Sequence, residues 1–148
     1  MTNFSIELDC NNVNFFKILT NYEDLTKYLP RQLKKVDVLE ENDTYTIIEV
    51  TLSFKTLIKK EITQKIKIEK SHTDNLFIQV LDGHAKNTII RISIIPNTEK
   101  SLVKAEIDLK LSLKAKILSP IIKREYKHLL TGVFRKMEND AKGNLEVI

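Results

Sequence analysis

The stretch SPIIKREYKHLLTGVFRKMENDAK, from Ser119 to Lys142, decides the fold. Ser119 offers an N-cap hydroxyl, and Pro120 suits the first helical position because its missing N–H would have no partner there. Ile122, Tyr126, Leu129, Leu130, Val133, Phe134, Met137 and Ala141 recur at helical spacing. At about 100° per residue they share one arc of roughly 140°. Arg124, Lys127, His128, Arg135, Glu138 and Lys142 fall on the other side, and Gly143 predicts the C-terminal stop. Such a helix must bury its stripe against another layer.

Working outward, the preceding chain supplies that layer. Phe4, Ile6, Leu8 and Cys10 alternate with Ser5, Glu7 and Asp9, as a strand with one dry face requires. Asn11 or Asn12 can cap a short helix carrying Val13, Phe16, Ile18 and Leu19. A second short helix is expected over Tyr22–Tyr28, ended by Pro30, which excludes helical geometry at Leu29. From Leu33 the period becomes two. Six strands follow, with inward sets such as Val36–Val38, Thr46–Phe54, Ile58–Ile68, Leu76–Val80, Ile90–Ile94 and Val103–Leu113. Short turns between them predict an antiparallel meander. One helix cannot cover seven flat strands, so the sheet must curve around it, leaving a hollow beside the helix. The expected class is α+β, a seven-stranded curved antiparallel sheet wrapped around a long C-terminal helix, with two short helices after the first strand.

Composition narrows the function classes. A chain of 148 residues with 42% hydrophobic content is expected to form one domain over 1–148, its core spanning about 3–142. The alternation at Phe4–Cys10 is unlike a signal peptide, and no run approaches the roughly 18 apolar residues of a membrane span, so a soluble cytoplasmic protein is expected. The lone Cys10 excludes an internal disulfide and sits on an apolar face, as a buried inert thiol would. The net charge of +4 is carried by 20 lysines and only 4 arginines, interspersed with 20 acids. That pattern fits a solvated surface better than a base-reading one, so no DNA partner is expected. His72, His84 and His128 are scattered, with no metal-ligand spacing. Neither a nucleophile motif nor a phosphate loop occurs, and no inward carboxylate pair is visible. No catalytic residue, metal or cofactor is expected.

Asn21-Tyr22 and Tyr28-Leu29-Pro30 in the helical insertion, Val50-Thr51-Leu52-Ser53-Phe54, Ile94-Ile95-Pro96 before a turn, and Phe134 in the last helix stand in a meaningful order. In that order the chain resembles the START-like (SRPBCC) superfamily from Phe4 to about Lys142. The superfamily includes lipid-transfer domains, pollen-allergen relatives, polyketide cyclase/dehydrase proteins and a coenzyme-Q-binding-like branch. The resemblance implies the helix-grip fold and a cavity for a hydrophobic small molecule: a lipid, an isoprenoid or quinone, or a polycyclic compound. It leaves two alternatives, a polyketide cyclase/aromatase-like enzyme and a ribosome- or RNA-associated protein of the toxin-like branch. A membrane-surface or RNA contact would use the basic stretch Lys55–Lys70.

The residues themselves indicate what could hold a ligand. Lys60 and Gln64 share parity with Ile58, Ile62 and Ile66 and point to the dry side, as does Thr46. A polar group there needs a partner or water. Either these groups orient the polar end of a ligand, or a bulge shifts the register, or Lys60 snorkels outward. Tyr22, Tyr28 and Tyr126 combine an apolar ring with a binding hydroxyl. Leu130 and Phe134 complete the expected ligand-binding set as part of the helix wall.

Overall fold

The computed structural model describes residues 2–53, 61–71, 74–113 and 116–146. In chain order it holds β1 (Thr2–Leu8), α1 (Asn12–Leu19), a 3-10 turn over Tyr22–Lys27, β2 (Leu33–Glu41) and β3 (Tyr45–Leu52). There follow β4 (Ile62–Ser71), β5 (Asn75–Val80), β6 (Ile89–Asn97), β7 (Lys100–Asp108), a 3-10 turn over Lys116–Leu118 and α2 (Ser119–Glu146). The strands form one antiparallel sheet in the order β1-β7-β6-β5-β4-β3-β2. Each strand from β2 to β7 lies beside its sequence neighbour, and β1 adds to the far edge. The segment holding α1 and the first 3-10 turn therefore carries the chain from one sheet edge to the other. The architecture is the α+β helix grip expected from the sequence.

Local chemistry sets the element boundaries. Asn11 caps α1, its Oδ1 accepting from the N–H groups of Val13 (2.8 Å) and Asn14 (3.1 Å). The second short helix is a 3-10 turn ending at Lys27, with Tyr28 as its cap. Two boundaries differ from the sequence pattern. β7 ends at Asp108, although alternation continues to Leu113. The reason is that its neighbour runs out: β6 begins at Ile89, which pairs with Asp108. Alternating hydrophobicity without a ladder partner does not make a strand. α2 runs through Gly143 to Glu146. A glycine weakens a helix by about 1 kcal/mol but ends it only by leaving helical geometry, and Gly83 is the positive-φ glycine among the described residues.

The register lines up the dry face. Thr46, Ile68, Ile78, Ile90 and Ile107 form a single row across β3 to β7. Val50 faces Gln64, and Leu52 faces Ile62. No irregularity interrupts the β3–β4 register, so Gln64 keeps its inward parity. On the wet face cations sit beside acids: Glu49 opposite Lys65, Arg91 opposite Glu106, and Lys67 bridged to Glu69 at 3.2 Å.

Candidate functional site

Alternation of strand direction divides the molecule into two ends. The β2–β3, β4–β5 and β6–β7 turns lie at one end with the C-terminus of β1. The chain leaving β3, β5 and β7 lies at the other, where α2 begins.

The first end is closed. Phe134 is fully buried, with the Phe15 ring edge-on at 5.7 Å and the Phe4 ring at 6.4 Å. Val133, Met137 and Ala141 are buried with it, against Leu8, Ile94 and Val103. Polar groups lock the same half of α2 to the strand and helices below. Glu138 Oε2 accepts from the Asp9 N–H at 2.6 Å, Arg135 donates to the Glu7 carbonyl at 3.2 Å, and Lys142 pairs with Asp9 at 3.3 Å. The Tyr28 hydroxyl donates to Asp140 Oδ2 at 2.6 Å, and Lys136 Nζ donates to the Tyr28 carbonyl at 3.1 Å. The sequence pattern puts Glu138 on the solvated side of the helix. In fact it is buried, because the β1–α1 turn passes over it and its carboxylate satisfies a main-chain N–H that would otherwise have no partner. Cys10 lies in this region, its thiol pushed up to about 11 by burial first and then by the Glu138 carboxylate. Such a thiol is an inert core group.

At the second end the dry face of the described residues is only half-buried. On α2, Tyr126, Leu129 and Leu130 point inward yet are only half-buried. Across from them Leu52, Ile62, Ile66, Ile78 and Ile90 face the dry side and also keep accessible surface. These inward apolar residues keep accessible surface. Side chains tie the chain together at this end. Lys65 N–H donates to Asp82 Oδ1 at 2.8 Å. Thr88 Oγ accepts from the Lys110 N–H at 2.9 Å and donates to the Lys110 carbonyl at 3.1 Å. His84 Nδ1 and Ser112 Oγ lie 2.8 Å apart, while the Ser112 N–H donates to the His84 carbonyl at 2.8 Å.

The expected site residues divide between the two ends. Tyr126, Leu130 and Gln64 belong to the second end. Gln64 is buried at 4% exposure on the dry face. It lies against Gly83, where a Cβ would stand 3.6 Å from Gln64 Cγ and Nε2; the φ of +80° also favours glycine there. Tyr126 is half-buried, and burial pushes its phenol up. Thr46 is buried inward in the Ile68–Ile107 row. Phe134 and Tyr28 belong to the closed half: Phe134 has no accessible surface, and the Tyr28 hydroxyl is held by Asp140. Burial first, then the hydrogen bond to Asp140, pushes Tyr28 up. Tyr22 is buried beside β2, its hydroxyl without a hydrogen-bond partner among the described residues, and burial pushes it up to about 12, with Glu41 adding to the effect. Lys60 lies outside the described residues. Two features escape the sequence reading. Gly83 carries no signal except being a glycine in a turn, and Leu113 reads as a strand residue although it is exposed.

Structural comparison gives this architecture its relatives. The chain superposes on a START superfamily protein from Mycobacterium smegmatis with a TM-score of 0.77, at 13% identity, covering 96% of this chain and 97% of that one. The fold is START-like. The Zhui aromatase/cyclase from Streptomyces sp. R1128 matches this START-like chain with a TM-score of 0.73 at 10% identity, covering 93% and 92% of the two chains. Norcoclaurine synthase from Thalictrum flavum matches with 0.71 at 16% identity, covering 95% and 94%. No family model matches the sequence, and no curated protein matches it. At these identities the likeness establishes the START-like fold alone. Among the described residues, no helix is long and apolar enough to cross a membrane, and no cluster of His, Cys, Asp and Glu could hold a metal ion.

Proposed function

We propose that this START-like chain binds a hydrophobic small molecule, of lipid, isoprenoid or polycyclic type, at the half-buried end between the sheet and the first turns of α2, and carries or presents it. The carrying observation is the unsealed dry face. Leu52, Ile62, Ile66, Ile78, Ile90 and Leu130 face inward and keep accessible surface. Exposed inward apolar surface is unfavourable, at about 25 cal/mol per Å² left wet, and an apolar ligand removes it. Gln64 and Tyr126 are the polar handles, and Thr46 and Lys60 complete the expected set. The Gln64 amide carries donors and an acceptor for a ligand carbonyl or hydroxyl.

Native mass spectrometry of the purified protein, followed by solvent extraction, tests the reading. A bound apolar molecule is expected. Gln64→Leu should lower its retention. A protein that carries nothing and takes up no lipid, quinone or polycyclic probe would refute the proposal.

The cyclase-like reading has one group behind it, the Tyr126 phenol on the inward stripe of α2, which can hydrogen-bond a carbonyl. Against it, the buried carboxylate among the described residues, Glu138, is at the closed end and holds a main-chain N–H. Cyclisation of a polyketide-like thioester mimic, abolished by Tyr126→Phe, would favour it. The ribosome or RNA reading receives no support from the wet sheet face, where lysines and arginines alternate with acids.

A further inference from the structure

We propose that Leu113, Lys116 and Ile117, together with Lys123, Arg124 and Lys127 in the first turns of α2, dock onto the surface of an anionic lipid bilayer. Leu113 and Ile117 are 87% and 84% exposed, the most exposed large hydrophobic residues among those described. Both lie between β7 and α2, at the end where the dry face stays half-buried. Around them the charge is one-sided. Lys116, Lys123, Arg124 and Lys127 are exposed and have no ion-pair partner among the described residues. Between Leu109 and Thr131 the sequence holds one acid, Glu125.

This differs from the wet sheet face, where cations and acids face each other across neighbouring strands, as at Glu49–Lys65 and Arg91–Glu106. Protruding aliphatic side chains within an unneutralised basic collar match the chemistry of a bilayer interface. The apolar tips enter the acyl boundary, and the cations meet phosphate headgroups. RNA would use the cations but would leave Leu113 and Ile117 without a role. Docking would set that half-buried end toward the acyl layer; that purpose rests on the hydrophobic-ligand reading, whereas the docking itself does not.

Vesicle flotation of the whole chain tests this, with phosphatidylcholine alone and phosphatidylcholine mixed with phosphatidylglycerol. Binding to the anionic vesicles is expected, and weak or no binding to the neutral ones. Leu113→Asp/Ile117→Asp should reduce binding roughly tenfold or more, since both insertion and local charge are lost. Lys123→Gln/Lys127→Gln should cost about fivefold for each charge removed. Leu39→Asp, at the opposite end and half exposed, should change nothing, and circular dichroism should show every variant folded. No flotation with anionic vesicles at low salt would overturn the proposal. So would flotation that survives the double aspartate variant, or polyuridine binding as tight as vesicle binding and untouched by that variant. A protein that carries an apolar molecule but ignores vesicles loses the docking alone. One that floats but carries nothing keeps the docking and loses the ligand reading.

Discussion

The two halves of α2 share one apolar stripe and have different fates. From Val133 to Ala141 the stripe is sealed, and Glu138, Arg135, Asp140 and Lys142 tie the helix to β1, to the β1–α1 turn and to Tyr28. From Tyr126 to Leu130 the same periodicity meets residues that stay half-buried. Periodicity states which side of a helix is dry. It does not state whether anything fills the space on that side.

Substitutions in the two halves should have different effects. The largest effect is expected from Phe134→Ala in the sealed half, a loss of about 3–5 kcal/mol by denaturant titration, because rings on both sides cannot collapse into the void. Leu130→Ala, four residues earlier, should cost only about 1 kcal/mol, since less surface leaves water there. Its effect should appear in ligand retention. Equal losses at both positions would mean that the two halves are packed alike.

Glu138→Ala comes next, at about 2–3 kcal/mol, because it leaves the Asp9 N–H without an acceptor.

Two tyrosines make a sharper pair. Tyr28→Phe should destabilise by about 1–2 kcal/mol through loss of its bond to Asp140. Tyr22→Phe should stabilise by about 1 kcal/mol, since it removes a buried hydroxyl that makes no hydrogen bond. Melting temperatures moving in the same direction would contradict this assignment.

Alkali should loosen the sealed half. The Cys10 thiol is pushed up from 9.0 to about 11. Between those values the unfolded thiol ionises and the buried one does not, so the unfolded state holds fewer protons and stability falls as pH rises. Cys10→Ala should flatten that part of the stability curve, measured by urea titration across the range.

The smallest effect is a gain. Gly132 lies in α2, exposed on the helix surface, and a Cβ at this position would meet nothing within 4 Å. Gly132→Ala should add about 0.5–1 kcal/mol by thermal unfolding.

Most of the fold is legible in the sequence because strands and helices differ in period, and the chain keeps each period cleanly. Gln64 is legible for the same reason: a polar residue in step with Ile62 and Ile66 must face inward when no bulge intervenes. Boundaries are less legible. Leu109, Leu111 and Leu113 continue the alternation of β7, but a strand also needs a neighbour, and β6 offers none past Ile89. Glu138 is misplaced by its spacing because a helical wheel knows nothing of a turn 129 residues away that presents an N–H to it. Tyr22 and Tyr28 look alike in sequence. Only their surroundings give one hydroxyl a carboxylate and leave the other without a partner.

The position of β1 also orders assembly in time. Thr2 pairs with Ile107 and Leu8 with Ser101, so the strand of this sheet made first is joined to the one made last. The β2–β7 meander can grow hairpin by hairpin from local contacts. β1, and the α2 half locked to it through Asp9, must wait for a closure spanning nearly the whole chain, the slow kind of contact in folding. Until that happens the edge of β7 and the dry face of the sheet remain open, which makes the interval before closure the period in which the nascent protein is most exposed to aggregation.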